Sequence, residues 1–123
     1  MSNAVNWFEI PVTDYDRAKS FYSNIFGATL TESEMNGLKM AFFPMQSQQG
    51  VGGAIVQGEG YVPSDKGTMV YLNGGDDLAP ILSRVEAAGG TIVTPKALIN
   101  DEIGYMAIIR DTEGNKVAFH SIG

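Results

Sequence analysis

Apolar residues recur along the chain with two different periods, which predict where strands and helices lie. Alternating or continuous apolar runs predict eight strands, at 5–12, 28–33, 38–44, 51–57, 68–73, 91–94, 105–110 and 116–122. A spacing of three and four residues predicts one helix from Tyr15 to Phe26 and another from Leu78 to Ala88. The first helical stripe is rich in aromatic residues and is expected to lie on a sheet.

Turn and cap residues separate these elements. Asn36-Gly37 between two apolar runs predicts a hairpin, and so does the run Asp111–Asn115, because Asp, Asn and Gly accept tight turns. Asp14 and Asp77 are placed to cap the two helices. The pair Gly52-Gly53 within the fourth strand predicts a bulge or bend.

The order of elements is the same in both halves of the chain. Each half is predicted as strand, helix and three strands, which indicates an internal duplication of about sixty residues. The fold class is therefore α+β, with two βαβββ modules at about 1–58 and 67–123 and a linker at 59–66, in one domain. Two such half-covered sheets are expected to curl around a shared concave face.

Composition and charge exclude several classes of partner. The chain has 123 residues, 44% of them hydrophobic, which is ordinary for a globular domain. A net charge of −6 argues against nucleic acid or an anionic membrane surface, because both are bound mainly through Lys and Arg. No apolar run is long enough to span a membrane, and the N-terminal residues do not have the pattern of a signal peptide. With no cysteine, thiolate metal sites are excluded and a cytoplasmic location is expected.

Several short motifs stand at spacings that a known family uses. They are Ile10-Pro11-Val12-Thr13-Asp14, Arg17-Ala18, Phe21-Tyr22, Phe26-Gly27, Arg84–Gly90 and Asp111–Asn115. With these motifs the chain resembles the vicinal oxygen chelate superfamily, which includes glyoxalase I, bleomycin-resistance proteins, fosfomycin-resistance enzymes and extradiol dioxygenases. The resemblance implies paired βαβββ modules in an open, U-shaped curved sheet, commonly in a homodimer. It also indicates a protein related to lactoylglutathione lyase.

The resemblance implies a metal site whose ligand positions this sequence does not fill. Metal-dependent members bind a divalent ion through a His on the first strand of a module and a Glu on its last strand. Here the first position falls on Trp7 and the last on Ala118, and the others fall near Met69 or Val70 and within 53–56. None of these residues is His, Glu or Gln, and a metal needs several convergent N or O donors. The expectation is that the metal has been lost.

Strand alternation extends the comparison to two ionisable residues. Glu9 shares a face with Trp7, and His120 shares one with Ala118. If those faces are concave, Glu9 and His120 from neighbouring strands could act as a general acid–base pair or orient a polar ligand. The alternative is that both are exposed residues near a sheet edge or terminus.

A mainly apolar pocket is the remaining candidate site. Its predicted lining is Trp7, Phe42, Tyr71, Tyr105 and Ala118, with Met106 beside them and Gln57 and Tyr61 at the rim. The alternative, which is favoured for any one of these aromatic residues alone, is ordinary sheet packing. Trp7 is favoured as pocket lining because it takes the place of the ligand His.

Three functions follow from these observations. The first is a metal-independent protein that binds a small organic ligand in the concave cavity, as an enzyme or as a carrier. The second is a metal-dependent lyase, isomerase or dioxygenase whose ligands lie elsewhere, with Glu9, His120 and Gln57 as the available donors. The third is a non-catalytic protein that sequesters a drug, as resistance proteins of this fold do.

Overall fold

The computed structural model describes residues 3–46 and 49–123, which form two four-stranded sheets and two helices. The strands of the first half are β1 (Trp7–Pro11), β2 (Thr31–Met35), β3 (Leu38–Phe42) and β4 (Gly52–Gln57). Those of the second half are β5 (Tyr71–Asn73), β6 (Thr91–Asn100), β7 (Gly104–Arg110) and β8 (Lys116–Ser121). The helices are α1 (Tyr15–Phe26) and α2 (Ala79–Val85). Both halves therefore have the predicted order β-α-β-β-β.

Each half forms its own sheet with the same topology. The strand orders are β1-β4-β3-β2 and β5-β8-β7-β6, so the first strand of each half pairs in parallel with the last. In each sheet the other two pairings are antiparallel hairpins. The predicted α+β fold of two βαβββ units is confirmed. In this order β1 and β5 are edge strands of their respective sheets.

One hydrophobic core joins the two halves on the helix side of the sheets. Phe21, Tyr22 and Ile25 of α1 pack with Phe43 and Phe119, and all five are nearly or fully buried. Ile55 of β4 and Val117 of β8 belong to the same core. Successive residues of a strand point to opposite faces, so only every second residue of these strands faces the helices. The opposite face of the first sheet carries a smaller buried cluster of Met40, Ala54 and Val56.

The predicted turn at Asn36-Gly37 and the predicted helix caps Asp14 and Asp77 can be compared with the structure. Asn36 and Gly37 both have positive φ, 52° and 80°, as the predicted two-residue hairpin requires. Asp14 caps α1, because its Oδ1 accepts from the backbone N–H of Arg17 at 3.1 Å. Leu78, one residue after Asp77, is the N-cap position of α2, but it is the Asp77 side chain that accepts from the N–H of Ala79, the first residue of the helix, at 2.9 Å. The same oxygen of Asp77 lies 2.8 Å from Lys96 Nζ.

Other differences concern the bounds of strands. The first strand begins at Trp7 rather than at residue 5, the fifth is only Tyr71–Asn73, and the sixth extends to Asn100 with register shifts against β7. Of the predicted bulge or bend at Gly52-Gly53, the bulge is wrong, because both residues lie in a continuous parallel register opposite Trp7 and Phe8. A side chain at Gly53 would overlap the ring of Phe8, so this glycine makes room for an aromatic neighbour.

The turn Asp111–Asn115 holds the second half against the first. The carboxylate of Glu113 accepts from the N–H groups of Thr13 and Asp14, at 2.9 and 2.7 Å, and from Arg17 Nε at 2.8 Å. The buried Asp111 accepts from the Tyr22 hydroxyl at 2.7 Å. The turn Asp111–Asn115, one of the motifs that carry the family resemblance, therefore connects α1 to the β7–β8 hairpin through hydrogen bonds.

Within residues 3–46 and 49–123, no helix is both long enough and apolar enough to span a membrane.

Candidate functional site

A cleft of about 680 Å³ opens between the edge strands of the two sheets. Its walls come from both halves of the chain and include Trp7, Phe8, Met45, Val70, Tyr71 and Leu72. The volume lies within the range of small-molecule sites, and the lining is mainly apolar, as such sites require. Asn73 lines the cleft as well and adds a polar amide at the end of β5. The cleft can therefore hold a small organic molecule.

Trp7 and Tyr71 are the two predicted pocket residues that line this cleft. Both are about half exposed, at 45% and 53%. They stand on β1 and β5, the facing edge strands. The indole of Trp7 is supported from the side by Phe42, with ring centroids 5.7 Å apart and an edge-on angle of 73°. Phe42 thus positions Trp7 and is not itself part of the cleft lining.

The other three predicted pocket residues have different surroundings. Ala118 is fully buried and paired with Tyr71, so it lies beneath the lining. Tyr105 lies on the helix side of its sheet, packed against the main core with Lys96 4.6 Å from its ring centroid. Gln57 accepts from the N–H of Tyr15 at 2.7 Å and so caps the start of α1. Neither Tyr105 nor Gln57 lines this cleft, and their role in a ligand pocket stays a prediction.

Met45 and Val51 line the cleft and were not predicted from the sequence. They flank the connection between β3 and β4, beside Gly52. A side chain on Gly52 would come within 2.6 Å of the Met45 sulfur and 3.3 Å of the Trp7 ring. The absent side chain at Gly52 is thus the sequence signal that two bulky neighbours converge there.

Glu9 lies on the exposed face of β1 with two aromatic partners. The Tyr61 hydroxyl donates to Glu9 Oε1 at 2.7 Å, and Trp7 Nε1 donates to Glu9 Oε2 at 3.3 Å. The predicted shared face of Trp7 and Glu9 is therefore correct. The bond to this carboxylate raises the pKa of Tyr61, so its phenol stays protonated near neutral pH.

His120 lies in the other sheet. Its Nε2 is 2.6 Å from the carbonyl oxygen of Ile103. A carbonyl oxygen only accepts, so Nε2 is the donor of this hydrogen bond. On β8, His120 pairs with Asn73 of β5 and Met106 of β7. The prediction that Glu9 and His120 come from neighbouring strands is wrong, because β1 and β8 belong to different sheets.

A second, smaller depression of about 360 Å³ lies near the start of α1 and is polar. Of its lining residues, Glu32 accepts from the Tyr15 hydroxyl at 3.2 Å and pairs with Lys19, whose Nζ lies 2.8 Å away. Burial, reinforced by Glu32, raises the pKa of Tyr15 to about 12. This surface network stabilises the packing of α1 on β2 and β3.

The donors that the described residues offer do not fit a divalent metal ion. At the positions where the resemblance implies metal ligands, Trp7 presents an N–H donor without a metal-binding lone pair, and Ala118 presents a buried methyl group. Among residues 3–46 and 49–123, no three or more His, Cys, Asp or Glu side chains cluster as a metal would require. The oxygens of Glu9 already accept two hydrogen bonds.

The fold is shared with several solved structures. A glyoxalase/bleomycin resistance protein from Albidiferax ferrireducens T118 is 17% identical, with a TM-score of 0.68, over 95% of this chain and 97% of that chain. A glyoxalase/bleomycin resistance protein/dioxygenase family enzyme from Burkholderia phytofirmans PsJN is 15% identical, with a TM-score of 0.68, over 96% and 98%. The trypanothione-dependent glyoxalase I of Leishmania major is 14% identical, with a TM-score of 0.67, over 98% and 88%. At these identities the likeness shows the fold.

Comparison at the level of sequence identifies the family. Curated proteins yielded no match to the sequence. The sequence model of the Glyoxalase/Bleomycin resistance protein/Dioxygenase superfamily matches residues 4–119, nearly the whole chain. The resemblance inferred from the motifs is confirmed by this match and by the shared fold. The chain belongs to the Glyoxalase/Bleomycin resistance protein/Dioxygenase superfamily.

Proposed function

We propose that this protein binds a small, mainly apolar organic molecule in the cleft between β1 and β5, without a divalent metal ion. The observation that carries the proposal is Trp7, which presents a half-exposed indole to an apolar cleft at the place where the family resemblance implies a metal-ligand His. Aromatic side chains contribute large contact areas at little entropic cost, as a binding surface needs.

Binding without turnover is the form of this function that the geometry supports best. Glu9 is hydrogen-bonded to Tyr61 and Trp7, and His120 is bonded to the Ile103 carbonyl in the other sheet. Neither arrangement pairs an acid with a base across a reacting bond. Catalysis by Glu9 and His120 stays a prediction, which Glu9→Gln and His120→Ala test once a converted substrate is known.

A neutral fluorescent probe tests the cleft. N-phenyl-1-naphthylamine is expected to bind with increased emission, and Tyr71→Ser is expected to weaken it about tenfold by removing one aromatic wall. Met35→Ser is the matched control, because Met35 is similarly exposed at 48% but lies on β2, outside the cleft. Equal losses in the two variants, or no binding to the parent protein, would contradict the proposal.

Elemental analysis tests the proposal that the protein functions without a divalent metal ion. Protein purified without a histidine tag or chelator is expected to hold far less than one zinc, nickel, iron or manganese per chain, and to take up none when metal is added. About one ion per chain or per dimer, lost in Glu9→Gln or His120→Ala, would instead favour a metal-dependent lyase, isomerase or dioxygenase.

A homodimer in the cytoplasm completes the proposal. Exposed apolar side chains such as Leu98, Ile99 and Ile103, each at least 41% exposed, support association with a second copy. Light scattering coupled to gel filtration is expected to give twice the chain mass. A chain mass that stays at the monomer value across concentrations would contradict it.

A further inference from the structure

One carboxylate on the exposed face of the first sheet is surrounded by aromatic side chains. Glu9 accepts from Tyr61 at 2.7 Å and from the Trp7 indole at 3.3 Å. Phe42 packs edge-on against the same indole, with ring centroids 5.7 Å apart. Glu9 is exposed, and Phe42 and Tyr61 are half-buried. This group of four residues, Trp7, Glu9, Phe42 and Tyr61, is called the aromatic carboxylate cluster.

The hydrogen-bond directions in the cluster favour a positive ligand. Its two side-chain donors, the Tyr61 hydroxyl and the Trp7 N–H, already donate to Glu9. A ligand at the cluster therefore meets the negative charge of the Glu9 carboxylate, and the faces of the aromatic rings beside it also attract cations. The net charge of −6 for the whole chain adds a long-range attraction of the same sign.

Trp7 joins this cluster to the apolar cleft. Its N–H is directed to Glu9, while the six-membered ring lies beside Gly52, at 3.3 Å from where a side chain on that glycine would begin. The same indole lines the cleft with Met45 and Tyr71. A molecule whose apolar part fills the cleft can therefore reach the carboxylate along one side chain.

We propose that the ligand of this protein is an organic cation, with an apolar body in the cleft and an ammonium group at the aromatic carboxylate cluster. Glu9 supplies the counter-charge, and Trp7 contacts both parts of the molecule. This inference rests on the proposed function, since it names the chemical class of the molecule that the cleft takes. It assigns Glu9 a role in selecting charge that requires no proton transfer.

Two compounds of the same shape test the inference. Benzyltrimethylammonium carries a positive charge, and neopentylbenzene replaces its nitrogen by carbon. Trp7 is the only tryptophan of the chain, so its fluorescence reports directly on the cluster. The cation is expected to bind at least about tenfold more tightly than the neutral compound, as a cation over an aromatic face beside a carboxylate should. Displacement of N-phenyl-1-naphthylamine gives an independent affinity for each compound.

Variants that remove one negative charge test whether Glu9 causes the preference for the cation over the neutral compound. Glu9→Gln is expected to bring the affinity of the cation down to that of neopentylbenzene while the affinity of neopentylbenzene itself stays within twofold. Glu86→Gln removes the same charge at the exposed end of α2 and is expected to leave the preference intact.

The outcomes separate this inference from the proposed function. Equal affinities for the two compounds, or equal losses in Glu9→Gln and Glu86→Gln, would overturn the cation inference while the cleft remains a binding site. If N-phenyl-1-naphthylamine does not bind and neither compound changes the fluorescence of Trp7, both the inference and the proposed function are overturned.

Discussion

Two adjacent glycines on β4 have different neighbours, although the sequence does not distinguish them. A side chain at Gly53 would overlap the ring of Phe8, which itself packs against Phe43. A side chain at Gly52 would meet the end of Met45, a flexible side chain, at 2.6 Å. The cost of adding a methyl group therefore depends on whether the neighbouring atoms can move away.

The two alanine variants should differ in stability. Gly53→Ala is expected to lower the free energy of unfolding by about 1–3 kcal/mol, because the packed ring of Phe8 must shift. Gly52→Ala is expected to cost less, because Met45 can rotate. Urea unfolding followed by circular dichroism measures both. Equal costs for the two variants would contradict this account of the pair.

Which face a strand residue occupies was predictable only in part. Trp7 and Glu9 share a face, as alternation predicts. Tyr105 was assigned to the pocket, but alternation with Met106 puts it on the other side of β7, against the core. An apolar residue satisfies either face of a half-buried strand, so residue type alone could not make that choice.

At the scale of elements, α1 begins where side chains from three segments meet. Asp14 caps the helix from within its own segment, Gln57 at the end of β4 accepts from the N–H of Tyr15, and Glu113 accepts from those of Thr13 and Asp14. The first turn of a helix leaves N–H groups without partners in the helix, and these acceptors satisfy them. The position of α1 over both halves of the chain is fixed at this end.

Gln57 provides a test of that assignment. Gln57→Leu is expected to cost about 1–2 kcal/mol in unfolding free energy, because the part-buried N–H of Tyr15 loses its acceptor. Affinity for N-phenyl-1-naphthylamine should be unchanged, since Gln57 is a cap and lies outside the cleft. Gln57→Glu keeps an acceptor oxygen at the helix start and should restore most of the stability. If a stable Gln57→Leu variant no longer bound the probe, Gln57 would be a pocket residue after all.

At the scale of the whole molecule, the hydrogen bonds between Glu113 and the start of α1 should make the free energy of unfolding depend on pH. Burial of its carboxyl raises the pKa, but bonds from Arg17, Thr112 and the backbone N–H groups of Asp14 and Thr13 outweigh burial and leave the pKa below its usual 4.5. A lowered folded-state pKa means that the stabilisation is complete above about 4.5 and is lost as pH falls through the folded-state value. The Glu113 side chain has no solvent-accessible surface, whereas that of Arg17 is 53% exposed, so solvent screens the ion pair from the Arg17 side.

Replacement of this carboxylate should remove that dependence. Glu113→Gln is expected to lower the unfolding free energy at pH 7 by about 2 kcal/mol, because Arg17 and two N–H groups lose a charged acceptor. It should also flatten the decline in stability between pH 5 and pH 3. Urea unfolding at several pH values measures both effects.

Glu32 supplies the control for the acid experiment. Its carboxylate pairs with Lys19, and hydrogen bonds from Lys19 and Tyr15 also lower its pKa, but the side chain is 59% exposed. Exposed ion pairs contribute little to stability. Glu32→Gln should therefore leave the decline nearly as steep as in the parent protein. An equal flattening in both variants would show that Glu113 is not the main acid-sensitive group.

The sequence by itself determined the order of elements, the duplication and the family. These depend on local information: helical spacing in α1, strand periodicity, and the Asn36-Gly37 turn, whose positive φ values are a property of those two residues. That Trp7 and Ala118 take the places of metal ligands stays a prediction from the family resemblance. The division into modules at about 1–58 and 67–123 stays a prediction of the same kind.

Only the tertiary structure decided what the candidate residues touch. Glu9 meets Tyr61, 52 residues along the chain, and His120 meets the Ile103 carbonyl, in another sheet from Glu9. The cleft itself exists because two edge strands, β1 and β5, face each other after each half has closed its own sheet. Contacts of this kind depend on how two complete units pack through a common core, and periodicity within either unit carries no information about that packing.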